Sequence, residues 1–226
     1  MIERHLIEHY IQKHIMGVLL YQKYAKFSQL RPPRVDTNLF SYHLKVLLKS
    51  DFVAKSDDGY TLSLKGLEYV DRVSTTQKFT LRSQPKIITM LVVQNSEGDI
   101  LLQRRTKQPY IDTWTLPYGK LHIDDVSVVA AARREAYEKL GLSDVPVEHA
   151  GDCYIRTQQD EDTIMATLAH VFRFETDAVT PSDTLLWARP HKLTQLALAP
   201  AVEEIMTRTF FRDRFFFEEY TVEAAF

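Results

Sequence analysis

A chain of 226 residues, 45% hydrophobic and 26% charged, with a net charge of −2, is long enough for two small domains and falls among ordinary soluble globular proteins. No apolar run reaches the roughly 18 residues of a membrane helix, and the opening MIERHLIEHY lacks the basic-then-apolar layout of a secretory signal, so a cytoplasmic protein without a membrane partner is expected. The single cysteine, Cys153, excludes an internal disulfide and a Cys-rich zinc site, and the scattered histidines argue against a histidine-based one. The charge divides unevenly: residues 1–75 carry 11 Lys+Arg against 8 Asp+Glu, a net of +3, and the remainder 17 against 22, a net of −5. That asymmetry permits nucleic acid at the front half without demanding it.

Residues 1–75 read as three helices and a hairpin. From Ile2 to Tyr24, apolar residues at Ile7, Tyr10, Ile11, Ile15, Val18, Leu19 and Tyr21 form a helical stripe. Pro32 and Pro33 force a break. Asp36 or Thr37 can then cap a new helix in which Leu39, Phe40, His43, Leu44 and Leu47 recur at three- and four-residue spacing. FVAKSDDGYTLSL alternates as two short strands around Asp58-Gly59. From Phe27 to Gly66 this order, carried by NLFSYHLKVLLKSDFVAK and GYTLSLKG, resembles the winged helix-turn-helix domains of the ArsR/MarR-like kind.

The resemblance implies a domain over residues 1–75 that places the helix after the turn in the major groove of double-stranded DNA and its hairpin along the backbone. On that helix Thr37, Asn38, Ser41, Tyr42, Lys45 and Lys49 are free to face outwards. Asn and Ser can read base edges, and the lysines can meet phosphates. The helix holds no arginine, so a dimerisation or docking module with a solvated polar face stays open as the alternative.

Residues 76–85 are polar and end in proline, which marks a linker. From residue 86 to 226 the grammar changes. KIITMLVVQ, ILLQRR, CYIRTQ, ATLAHVFRFET and LLWARP read as strands and PAVEEIMTRTFF as an amphipathic helix, which predicts a mixed α/β sandwich. Trp114 and Trp187 are expected in the core or on a substrate wall, and Cys153 buried and inert. The tail FFRDRFFFEEY is too apolar for water; packing against the other domain or a second chain, as in a homodimer, is expected.

The stretch WTLPYGKL followed by RREAYEKLGL resembles the Nudix box, G-x5-E-x7-R-E-U-x-E-E-x-G-U with U aliphatic. Gly119 takes the opening glycine, Arg134 and Glu135 the R-E pair, Ala136 the aliphatic position, Glu138 the first of the paired glutamates, and Gly141 and Leu142 the end. The resemblance implies a Nudix α/β/α sandwich that hydrolyses a nucleoside diphosphate linked to another moiety, using Mg²⁺ or Mn²⁺. Glu135, Glu138 and Arg134 would be catalytic, with Glu135, Glu138, Gly119 and Asp125 at the metal. The sequence departs from the pattern in three places. Lys139 replaces the second glutamate, Asp124 or Asp125 the upstream one, and one residue too many separates Gly119 from Arg134, so the loop must bulge. Tyr118 also replaces a glycine frequent in the family's lead-in.

The residue types suit the chemistry. Pyrophosphate is a dense anion, and Mg²⁺ is a hard ion that wants oxygen ligands. Glu135 and Glu138, three apart, share one helix face and can reach one ion. Lys139 opposes it: at about 5 Å and an effective dielectric near 20, two unit charges interact by roughly 3 kcal/mol, and twice that against a divalent ion. Its flexible stem can swing away. Lys120, the Arg104-Arg105 pair and Lys139 can meet phosphates of the substrate, and Asp160, Glu161 and Asp162 form an acidic loop, read as a solvated turn or a distant metal carboxylate. Two functional readings result: an attenuated metal-dependent hydrolase, or a non-catalytic nucleotide sensor that regulates transcription through the front domain.

Overall fold

The computed structural model of the protein describes residues 7–71, 73–74, 80–81, 84–108, 110–211 and 215–223. The chain divides into two compact units, Met1–Gln84 and Pro85–Phe226. The first residues of the expected opening helix, and 76–79 and 82–83 of the expected linker, lie outside the described residues.

In the first unit, α1 (Tyr10–Tyr21) buries Ile11, Ile15, Met16 and Leu19. Helix α2 (Phe27–Leu30) follows, then α3 (Thr37–Lys49). The α3 cap is Asp36, whose carboxylate accepts from the Asn38 and Leu39 amides at 2.8 and 3.1 Å. Phe40, His43, Leu44 and Leu47 are buried, whereas Leu39 is 44% exposed. The hairpin pairs β1 (Val53–Ser56) with β2 (Gly59–Leu62) across Asp57-Asp58, so Gly59 opens the second strand instead of standing in the turn. Its φ of 134° belongs to glycine, and an added Cβ would lie 2.7 Å from the Ala25 carbonyl oxygen. Ala25 and Tyr60 exchange two backbone hydrogen bonds of 2.9 Å, which ties the segment before α2 to the hairpin. Helix α4 (Leu64–Asp71) and a short antiparallel pair, β3 (Val73–Ser74) with β4 (Thr80–Leu81), complete this unit.

The second unit carries β5 (Lys86–Gln94), β6 (Ile100–Arg104), β7 (Trp114–Thr115), β8 (Tyr118–Lys120), α5 (Val128–Leu140), β9 (Glu148–Gln159), β10 (Asp162–Glu175), β11 (Leu185–Ala188), a 3-10 turn at Pro190–Gln195, α6 (Val202–Phe211) and β12 (Phe216–Glu223). The main sheet runs β11-β6-β5-β10-β9-β12, with β7 on β6 and β8 on β5. The β5–β10 and β9–β12 pairs are parallel and the others antiparallel. Alternation along β5 serves both faces of the sheet. Ile88, Met90 and Val92 pack in one core with Ile205 and Met206 of α6. Leu91 and Val93 pack in the other with Ala132 and Ala136 of α5. The result is the mixed α/β sandwich that the alternating elements predict. The aromatic tail supplies β12, an edge strand whose Phe216 is buried while Phe215 and Phe217 are each 57% exposed. No helix among the described residues is long and apolar enough to cross a membrane.

Gly66 of α4 has no room for a side chain, since an added Cβ would meet the Phe52 carbonyl oxygen at 2.1 Å. Gly66→Ala should therefore destabilise the first unit by about 1–3 kcal/mol, seen as an earlier denaturant midpoint; an unchanged midpoint would contradict this packing.

Candidate active site

Helix α5 is built to begin and end where it does. Ser127 caps its start, accepting from the Ala130 amide at 3.0 Å. Gly141 ends it in the left-handed conformation, φ 69°, and its amide donates to the Tyr137 carbonyl at 2.9 Å. Ala131, Ala132 and Ala136 face the core, and so does Glu135, only 3% exposed. A carboxylate that deeply placed needs a counter-charge.

Arg134 supplies it. Its Nε and Nη2 both donate at 2.9 Å to the two oxygens of Asp125, and Nη2 also reaches the Lys120 carbonyl at 3.0 Å. Nη1 donates to Glu135 Oε1 at 2.6 Å and to Glu138 Oε2 at 3.4 Å. One guanidinium thus joins the end of β8, the loop after it and two acids of α5. Of the two aspartates open in the sequence, Asp125 is the one engaged. Its Oδ2 also accepts from the His122 amide at 2.7 Å, closing the loop on itself. On the outside of this loop Ile123 and Val126 are exposed. The fork from Arg134, then the His122 amide, hold the Asp125 carboxyl down to about 2. The same bonds, with those to Glu135, push the Arg134 guanidinium above its ordinary range.

Gly119 meets the Glu135 carboxylate directly: an added Cβ would fall 1.7 Å from its Cδ. Glycine is required there by space. Glu135 Oε2 is buried and has no hydrogen-bond partner, which leaves one charged oxygen for a ligand. Glu138 lies one turn on, with its side chain 49% exposed.

Beside this cluster opens a cleft of about 580 Å³, a size suited to a small-molecule ligand. Its lining brings together Arg104, Arg105, Lys120 and Lys139, all singled out in the sequence, with Lys86 and Lys107, which no motif had marked. Six cations line it, and no carboxylate is among the lining residues. Ile88, Met90 and Ile155 form apolar wall. Arg104 is also paired with Asp112 at 2.9 Å, and Arg105 donates to the Tyr118 hydroxyl while its guanidinium lies 5.3 Å from that ring's centroid. Tyr118 sits in β8 in strand conformation, so no glycine is needed at that place.

Asp160 and Glu161 make the two-residue turn between β9 and β10, both at positive φ and exposed, and Asp162 starts β10. Trp114 packs on one core and Trp187 on the other, where its indole donates to the Val179 carbonyl at 3.0 Å. Cys153 is fully buried, and burial pushes its thiol up to about 12. In the first unit Thr37, Asn38, Tyr42, Lys45 and Lys49 are exposed along α3 and Ser41 is half-buried. The structure also collects His149, Asp152 and His170, which lie on two strands and have no motif spacing.

The family model of the NUDIX domain matches residues 84–210. Among solved structures, the chain is similar to a mutator MutT protein from Bacillus halodurans, with 19% identity over 60% of this chain and 90% of that one and a TM-score of 0.49. A MutT protein from Methanosarcina mazei Go1 matches at 24% identity over 57% and 96%, TM-score 0.47. The NUDIX domain of Shewanella oneidensis NrtR, solved with ADP ribose, matches at 14% over 63% and 94%, TM-score 0.47. No curated protein matches the sequence significantly.

Because the folded-state value of Asp125 lies below its ordinary 3.8, its pairing stabilises the fold above that value and is lost as pH falls to about 2. Asp125→Asn should lower the unfolding midpoint at neutral pH. The gap from the native chain should close on titration through that window; a gap independent of pH would rule out the ion pair as its source.

Proposed function

The chain belongs to the NUDIX domain family, and from that premise we propose that it is a divalent-metal-dependent hydrolase of a nucleoside diphosphate-linked substrate, with activity attenuated by Lys139. The observation that carries this reading is the buried Glu135 Oε2, unpartnered and packed over Gly119, the residue whose strand also lines the cleft. A carboxylate oxygen in that state, with Glu138 on the same helix face, fits a hard cation. Glu135 and Glu138 would hold Mg²⁺ or Mn²⁺, which when bound stabilises charge on the phosphates and lowers the pKa of a bound water.

The chain's own residues do the rest. Arg134 pairs with Glu135 and fixes it, and Asp125, whose two oxygens both face Arg134, acts by orienting that guanidinium. Gly119 leaves space for the carboxylate. Lys120, Arg104 and Arg105 draw the phosphates into the cleft, and its apolar wall accepts a base or sugar face. Lys139, also in the lining, places a positive charge where the family pattern has a carboxylate. It therefore competes with the metal for the same phosphate oxygens.

A second reading, a non-catalytic nucleotide sensor regulating transcription, is favoured by a lining whose charged residues are all cations, which can hold a pyrophosphate without metal. In either case we read the first unit as a winged helix that binds double-stranded DNA. Supporting this are the helix order, the Ala25–Tyr60 pairing beside the hairpin, and the exposed Asn38, Tyr42, Lys45 and Lys49 at three- and four-residue steps on α3.

Incubation with Mg²⁺ or Mn²⁺ and a panel of ADP-ribose, NAD(H), dinucleoside polyphosphates, nucleotide sugars and nucleoside triphosphates should release phosphate or mononucleotide. Glu138→Gln should reduce turnover by at least about a hundredfold, which is 2.7 kcal/mol of barrier, and Lys139→Glu should tighten Mn²⁺ binding. Turnover equal in Glu138→Gln would sink the hydrolase assignment; no turnover with a ligand-induced thermal shift would leave the sensor. For the first unit, DNA affinity should fall steeply with salt, and Lys45→Ala with Lys49→Ala should flatten that slope by about two contacts. A slope unchanged by the double substitution would remove α3 from the DNA interface.

A further inference from the structure

We propose that His149, Asp152 and His170 form a metal site for a borderline divalent ion of the Zn²⁺ kind, separate from the acids of α5. His149 and Asp152 lie on β9, and His170 faces Asp152 from β10. Both imidazoles approach one carboxylate oxygen, His149 Nε2 at 2.8 Å and His170 Nδ1 at 2.7 Å from Asp152 Oδ1. The three donor atoms all lie within 4.8 Å of one another.

The cluster exists because of a fault in the strand register. In a regular strand, residues three apart point to opposite faces, so His149 and Asp152 could not meet. The pairing of β9 with β10 shifts between Phe172↔His149 and Val171↔Gly151, leaving Ala150 as an extra residue. That bulge rotates the strand by one place and puts His149 and Asp152 on the same face as His170 and Phe172. A bulge of this kind re-aims side chains and is common beside functional sites. Phe172 belongs to the core that packs under α5, so the cluster lies on that face of the sheet. Ile88 and Met90, which line the cleft, belong to the opposite core.

The donors suit the ion. Two imidazole nitrogens and one carboxylate oxygen make a three-ligand set with room for water or an exogenous ligand. Such nitrogen donors favour Zn²⁺, Co²⁺ or Ni²⁺ over Mg²⁺, which wants oxygen alone. Metal–ligand bonds of about 2.0–2.2 Å in a tetrahedron separate ligand atoms by roughly 3.4 Å. The present contacts would open by little more than half an ångström to admit an ion. The His149 ring is held for this, stacked on Phe172 at 4.6 Å and 16° and met edge-on by Phe215 at 5.2 Å and 90°. The side chains are 28, 21 and 16% exposed for His149, Asp152 and His170, so an ion can enter from solvent.

The test is Co²⁺ titration of the full chain, with Mg²⁺ in excess to occupy oxygen-only sites, read by visible d–d absorption and equilibrium dialysis. The native chain and Glu138→Gln should each bind one Co²⁺, displaced by Zn²⁺. His149→Phe, which keeps the aromatic stack, and His170→Gln should bind at least about tenfold more weakly, while their metal-free circular dichroism matches the native chain. Absence of Co²⁺ binding in the native chain would overturn the proposal, leaving a hydrogen-bonded His–Asp–His trio. So would binding that survives intact in folded His149→Phe and His170→Gln, or binding that is lost in Glu138→Gln.

Discussion

Three carboxylates converge on one guanidinium, and the second unit's chemistry rests on that balance. Glu135 is 3% exposed, and an ion buried so far without a partner costs several kcal/mol. Arg134 offsets this with a planar fork that no lysine could copy, giving two parallel bonds to Asp125 while Nη1 serves Glu135 and Glu138. The same side chain reaches the Lys120 carbonyl, so the register of α5 against β8 is set by an electrostatic contact as well as by packing. Asp125 reaches that guanidinium from a loop one residue longer than the family pattern.

Lys139 looks different once it is placed. Successive helical residues diverge by about 100°, so a side chain next to Glu138 need not point where Glu138 points. Lys139 lines the cleft with five other cations. Against a divalent ion its charge is a penalty, but against a bound pyrophosphate it is an attraction of the same order. In the proposed hydrolase, that places part of the phosphate recognition on a side chain.

What could be read in the sequence was what local spacing encodes. Gly119, Arg134, Glu135 and Gly141 were legible because each is fixed by a loop or helix that forms within its own neighbourhood. Strands β5, β6, β9, β10 and β11 were legible through their apolar runs, and the α3 cap, as Asp36 or Thr37, through its chemistry; the short β7 and β8 were not. Lys86 and Lys107 were not, because only the closing of the sheet brings their segments to the cleft. The tail was read as apolar surface seeking cover. Its becoming an edge strand parallel to β9 depends on a partner some 65 residues away, as in the Phe216↔Gly151 pair. His149 and His170 were hidden for two reasons: they sit on different strands, and their common face depends on a bulge at Ala150 that no periodicity announces.

That bulge places two kinds of chemistry on one row of the sheet. Gly119 pairs with Thr89, Thr89 with His170, and His170 with Asp152. At about 4.8 Å per strand, Gly119 and His170 stand roughly 10 Å apart. Glu135 rests over the first of these and the histidines close the other end, with the buried, unpartnered Thr89 hydroxyl between. Divalent ions at both ends would repel by roughly 7 kcal/mol at that separation and an effective dielectric near 20, before screening by water. The sheet thus holds two donor sets of different chemistry on one face, oxygen donors at the helix and nitrogen donors at the bulge.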